Sequence, residues 1–199
     1  MQPLTLDDLL PLEEYAVRRS EFLDSLHRYL DRYRKVRLGP RVTLLFENRQ
    51  TLWFRIQEVL RITRLSEPER VQQELDLYNR LLPGRGHLQG ALVIDIAEDA
   101  RFAEELAFWQ TLQGDSLALC VADRRMPSHL VTCRPEDRAI GAAHWVQFAF
   151  DAAGRSALAD FAHPAFFEIS HASYRHESPA LGEDVRQSLL EDLELSDKD

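Results

Sequence analysis

Up to Leu82 the apolar residues of this chain recur every three or four positions; beyond "PGRG" (83–86) they fall into short β-branched and aromatic runs. A helix brings residues three and four apart onto one face, whereas a strand brings alternate residues, so one element type cannot serve both halves. The order predicts an α+β fold, with an N-terminal helical layer packed on a mixed, mainly antiparallel sheet. We read residues 1–199 as a single domain, 1–88 mainly helical with one strand and 89–199 strand-rich.

In the first half, Thr5 with Asp8 reads as a capping box on a short helical turn. The stripe Leu12, Tyr15, Ala16, Phe22, Leu23, Leu26, Leu30 and Tyr33 predicts a helix over 12–35, with Arg19 inside the stripe. "LGP" (38–40) ends it and leads into a strand at 42–48, then a helix at 51–65. Ser66 and Glu69 suggest a second capping box, with Pro68 in the first turn of a third helix that stops at "PGRG". In the second half, strands are expected at 91–96, 117–122, 129–133, 143–150 and 166–171. Helices are expected at 99–112, 151–160 and 180–195.

Several charges fall where a helix or strand should be apolar. Arg55 lies at the edge of the apolar face of the 51–65 helix, with Glu58 one turn on and able to pair with it. Glu47 ends the preceding strand, and Glu74 falls on the apolar side of the third helix. Buried ions must find partners or neutralise, so these residues form either a structural ion network or a site. The functional version is a cleft in which Arg19, Arg49 and Arg55 bind a carboxylate or phosphate. Glu47 or Glu74 would then be a general base and Tyr78 or Asn79 would orient the ligand, with Glu58 in the same candidate set. No catalytic residue is singled out.

Charge is also uneven along the chain. Arg28, Arg32, Arg34, Lys35, Arg37 and Arg41 crowd one stretch, and the chain from Glu177 onward is acidic. These are either two solvated faces or a basic patch that docks an acidic partner, a phosphate or the protein's own C-terminal segment.

Other chemistries find less support. A net charge of −9 argues against general nucleic-acid binding, which needs a basic surface. The one Glu-x-x-His, Glu168 to His171, falls in an expected strand whose geometry turns the two apart. No other His or Cys spacing resembles a metal site, and no glycine-rich phosphate loop follows a strand, so neither a metal nor a cofactor is expected. If the hairpin turned at Met126 and Pro127, Cys120 and Cys133 would lie opposite one another; two small buried thiols are the simpler expectation. The N-terminus lacks the pattern of a signal peptide and no apolar run is long enough to span a bilayer, so a cytoplasmic protein without membrane insertion is expected.

The segments "LTLDDLLPLEEY" from Leu4, "LGPRVTLLFENRQTLWFRIQE" from Leu38 and "QQELDLYNRLLPG" from Gln72 carry a family resemblance. So, more faintly, do "PEDRAIGAAHWVQF" from Pro135 and "HASY" from His171. The chain resembles a bacterial family known as domain of unknown function 3501, and departs from it after His171, where the family tends to have proline. Members tend to be encoded beside rubrerythrin-like proteins and iron–sulfur oxidoreductase subunits. The resemblance implies an accessory of a redox or oxidative-stress system, and it transfers no catalytic residue. The leading expectation is a non-catalytic protein that binds such a partner. The alternative is a small enzyme or ligand-binding module for an anionic metabolite.

Overall fold

The structure, a computed structural model, describes residues 1–97, 101–131 and 143–197. After a 3₁₀ turn at Leu6–Asp8, helix α1 (Leu12–Tyr29) runs into a π-helical turn at Leu30–Arg34 and then strand β1 (Lys35–Leu38). The sequence reading carried the helix through 35 and placed no strand there. In Lys35–Leu38 the charged residues point out and Val36 and Leu38 are buried, a period of two too short to stand out beside the helical stripe.

Strand β2 (Val42–Phe46) is followed by α2 (Arg49–Thr63) and α3 (Pro68–Asn79). Asn48 caps α2: its carboxamide oxygen accepts from the Thr51 amide, while the Thr51 hydroxyl accepts from the Asn48 amide. Pro68 opens α3 as expected, but the residue before it, Glu67, holds the N-cap position in place of Ser66. The rest of the chain supplies β3 (His87–Ile94), α4 (Phe102–Gln110), β4 (Leu117–Val121), β5 (Arg124–Val131), β6 (Ala143–Ala149), α5 (Ala152–Ala159), β7 (Ala165–His171), β8 (Tyr174–Glu177) and α6 (Glu183–Asp197).

The eight described strands form one sheet in the order β1-β2-β3-β6-β5-β4-β7-β8. Every pairing is antiparallel, which corrects the expected mixed sheet. Tight turns at Ala122–Asp123 and Ala172–Ser173, each with positive φ at its alanine, make β4–β5 and β7–β8 hairpins. The first of these is not the turn at Met126 and Pro127 on which a cysteine pairing depended: Cys120 faces Arg125, and Cys133 lies outside the described residues.

The sheet curls into a nearly closed barrel. Its concave side buries Leu44, Phe46, Leu92, Phe148 and Phe167, joined by Trp109 of α4, Leu158 of α5, and Leu189 and Leu193 of α6. A second core of Leu52, Ile56, Leu60, Val71 and Leu75 holds α2 and α3 together, and Trp145 packs against it. Since Trp145 alternates with the inward Val146 and Phe148, the helical layer sits on the outer face of the sheet.

The ends of the strand order meet through Tyr174. Its hydroxyl donates to the Leu38 carbonyl at 2.5 Å and accepts from the Arg41 amide at 3.2 Å, tying β8 to the β1–β2 turn. Gly39 in that turn has φ +74°, and a Cβ there would lie 2.4 Å from the His176 ring. Removing the hydroxyl by Tyr174→Phe leaves the Leu38 carbonyl short of a donor in a buried place. We expect a loss of about 1–3 kcal/mol in urea unfolding, with the denaturant slope unchanged.

Candidate functional site

Glu47 follows β2, and its amide donates to the Gln89 carbonyl at 2.8 Å, which continues the β2–β3 ladder by one residue. Its side chain therefore falls on the outer face, beneath the first turns of α2, where it is 1% exposed. Arg55 reaches back from α2 to Glu47 Oε1 through Nε at 2.8 Å and Nη2 at 2.5 Å, and the Thr51 hydroxyl donates to Oε2 at 2.5 Å. The Arg55 guanidinium lies 5.1 Å above the Trp145 ring, adding a cation–π contact.

A polar row extends from Glu47 across the sheet. Gln89 of β3, Gln147 of β6 and His129 of β5 stand opposite one another in register. His129 Nε2 meets Gln147 Oε1 at 2.8 Å, and Gln147 Nε2 donates to Gln89 Oε1 at 3.1 Å. The row ends at Gln89 Nε2, which has no hydrogen-bond partner although the residue is 1% exposed. A buried amide left so is costly, and in native proteins it calls for an explanation.

The remaining expected site residues go elsewhere. Arg55 takes Glu47, not Glu58. Glu58 is held by a two-pronged contact from Arg19 of α1 at 2.8 and 2.9 Å, by Arg61, and by the Tyr15 hydroxyl at 2.8 Å. Arg49 pairs with Asp8 at 2.6 Å, fastening the N-terminal turn to α2. Asn79 exchanges two hydrogen bonds with the Leu4 backbone, at 2.8 and 2.9 Å, and so docks the N-terminal segment on α3. Glu74 and Tyr78 are half-buried on α3, where Tyr78 packs against the helical core. The expected cleft is thus divided among separate pairings, and only Glu47 with Arg55 adjoins the polar row.

The basic stretch divides in the same way. Arg28 and Arg37 are exposed. Lys35 pairs with Asp31 at 2.8 Å, Arg32 with Asp184 of α6 at 2.8 Å, and Arg41 with Glu105 of α4. Arg34 corrects its assignment to a docking surface, being only 3% exposed with both terminal nitrogens on Asp192 of α6. Its Nε donates to the Tyr29 hydroxyl, which also accepts from Asn48. Burial pushes the Asp192 carboxyl upward while the guanidinium beside it pulls it down.

Two adjoining clefts, of about 240 and 200 Å³, share Arg41, Arg101 and Glu105, away from Glu47. Burial, with Glu168 beside it, pushes the Cys120 thiol up to about 11. Among the described residues no group of three or more His, Cys, Asp or Glu is placed to hold a metal ion. No helix among them is long and apolar enough to cross a membrane.

The residues missed from sequence are Gln89, Gln147, His129, Trp145 and Asp192. Each is an unremarkable member of its own element, and only strand register or long-range packing brings it to Glu47 or Arg34.

The profile of a family described as protein of unknown function (DUF3501) matches residues 3–193. The chain belongs to this family. A solved structure with the same fold, a novel protein of unknown function from Burkholderia pseudomallei K96243, superposes with a TM-score of 0.86 at 28% identity. That match covers 96% of this chain and 100% of the other. No curated protein matches the chain. The family match includes every residue of the polar row as well as Arg34 and Asp192.

Two predictions concern these ion pairs. Hydrogen bonds from Arg19 above all, aided by Arg61 and Tyr15, hold the Glu58 carboxyl down from 4.5 to about 2 against the effect of burial. A carboxylate lowered in the folded state contributes stability above its unfolded pKa, and that contribution is lost as pH falls from about 4.5 to about 2. Glu58→Gln should therefore flatten the stability–pH curve in this window, as followed by urea unfolding at stepped pH. Arg34→Ala strands Asp192 and should cost about 3–5 kcal/mol, whereas Arg34→Met with Asp192→Leu should recover most of the loss.

Proposed function

We propose that this protein is a non-catalytic, cytoplasmic accessory that docks a redox partner, an iron–sulfur oxidoreductase subunit or a rubrerythrin-like protein. The observation that carries this reading is the mutual satisfaction of the charges best suited to chemistry. Glu47 is taken by Arg55, Glu58 by Arg19, and Asp192 by Arg34, so their charge is used in joining elements of the scaffold. On the surface, Arg28 and Arg37 are exposed, and the neighbouring pairs Arg32–Asp184 and Lys35–Asp31 are solvated. Exposed pairs are worth only about 0–1 kcal/mol, so an acidic partner can exchange with them at little cost. The family's genetic neighbourhood directs the reading toward redox proteins.

The test is an anaerobic, low-salt affinity capture from the native host, read by mass spectrometry and iron analysis of the same eluate. Stoichiometric recovery of an iron–sulfur or rubrerythrin-like protein is expected, with recovery lost at high salt and in Arg28→Glu with Arg37→Glu. Recovery of the protein alone would end this reading.

A second reading, a ligand-binding module for an anionic metabolite, is favoured by one observation, the unpartnered amide of Gln89 beside the Glu47–Arg55 pair.

A further inference from the structure

We propose that the outer face of the sheet beside Glu47 binds a small monocarboxylate, held between the Arg55 guanidinium and the Gln89 amide. This rests on the ligand-site reading and is independent of partner docking. Both groups flank Glu47, Arg55 through the ion pair and Gln89 through the main-chain bond of the β2–β3 ladder.

Each has donor capacity left over. Arg55 spends Nε and Nη2 on a single oxygen of Glu47, which leaves Nη1 for a further acceptor. Gln89 spends its oxygen on Gln147, and its two amide hydrogens have no acceptor. In the orientation with His129 donating to Gln147 and Gln147 to Gln89, the Gln89 oxygen is used within the row and its nitrogen is the atom left without a partner.

A ligand that satisfies the site therefore brings acceptors. Charge narrows the class. Glu47 and Arg55 cancel, so a monoanion leaves one uncompensated charge in the site and a dianionic phosphate two, and the single free nitrogen of Arg55 with one amide suits the smaller charge. Trp145, half-buried beneath the guanidinium, holds Arg55 in place from the sheet side, and the exposed His129 marks the solvent end of the row.

The experiment is an NMR titration of the full chain that follows the side-chain amide of Gln89 and the Nε–H of Arg55. Sodium acetate is the probe, with sodium chloride at equal ionic strength and sodium phosphate in parallel. A saturable shift of both signals with acetate is expected. In Gln89→Met, which removes the unpaired amide along with the acceptor of Gln147, the apparent affinity read from Arg55 should fall by about tenfold or more while the protein stays folded by its NMR spectrum. A response to acetate no larger than to chloride, or an identical curve in Gln89→Met, overturns the inference. Saturation by phosphate without acetate overturns the carboxylate class while the ligand-site reading stands, and no response to either anion removes both.

Discussion

The pair between Arg34 and Asp192 is the constraint around which the molecule is assembled. Its partners come from opposite ends of the chain, and both are nearly inaccessible to solvent. Two ions removed from water remain tolerable only when their hydrogen-bonding capacity is used, so neither can be buried before the other arrives. Arg34 meets this condition through Asp192 and Tyr29, and Tyr29 in turn accepts from Asn48, the residue that caps α2. A single guanidinium thus joins the last helix, the end of the first and the start of the second. It sits in a π-helical turn, a departure from α geometry of the kind often found where a helix must re-aim a side chain.

The same cap leads to the candidate site. Asn48 bonds Thr51, Thr51 bonds Glu47, and Glu47 bonds Arg55, so the geometry at the sheet surface is continuous with the buried junction beneath α6. Rigid support of this sort is what a binding site needs, because a carboxylate or guanidinium that can swing loses its orientation. The outer face of the sheet is then shared. One row, Leu45, Ala91 and Trp145, meets the helical core through Trp145, and the adjacent row of Glu47, Gln89, Gln147 and His129 is polar.

Helices with a sustained period were legible: α1, α2 and α3 lie where their stripes place them, to within a few residues at the ends. Strands were legible where the apolar run was long, as in β4, β6 and β7. β1 was not, because four residues carry only two turns of alternation and follow directly on a helical pattern. β5 was half-seen, since Arg124–Pro127 looks like a turn, while the turn made is Ala122–Asp123 with alanine at positive φ. That shift of the hairpin also dissolved the cysteine pairing: register decides who faces whom, and local composition does not specify it.

The sequence by itself determined the fold class, the family and the fact that Glu47, Arg55, Glu58 and Arg19 would need partners, because periodicity and desolvation act locally and can be read from one segment. Only the tertiary structure decided which partner each would take. Arg55 could reach Glu58 along its own helix but turned to Glu47. Arg34 looked like surface charge until α6 covered it, and Gln89 became a candidate binding group only when three strands aligned. In each case the deciding quantity is the distance between residues far apart in sequence, which exists only after the chain has folded and its cores have fixed the register.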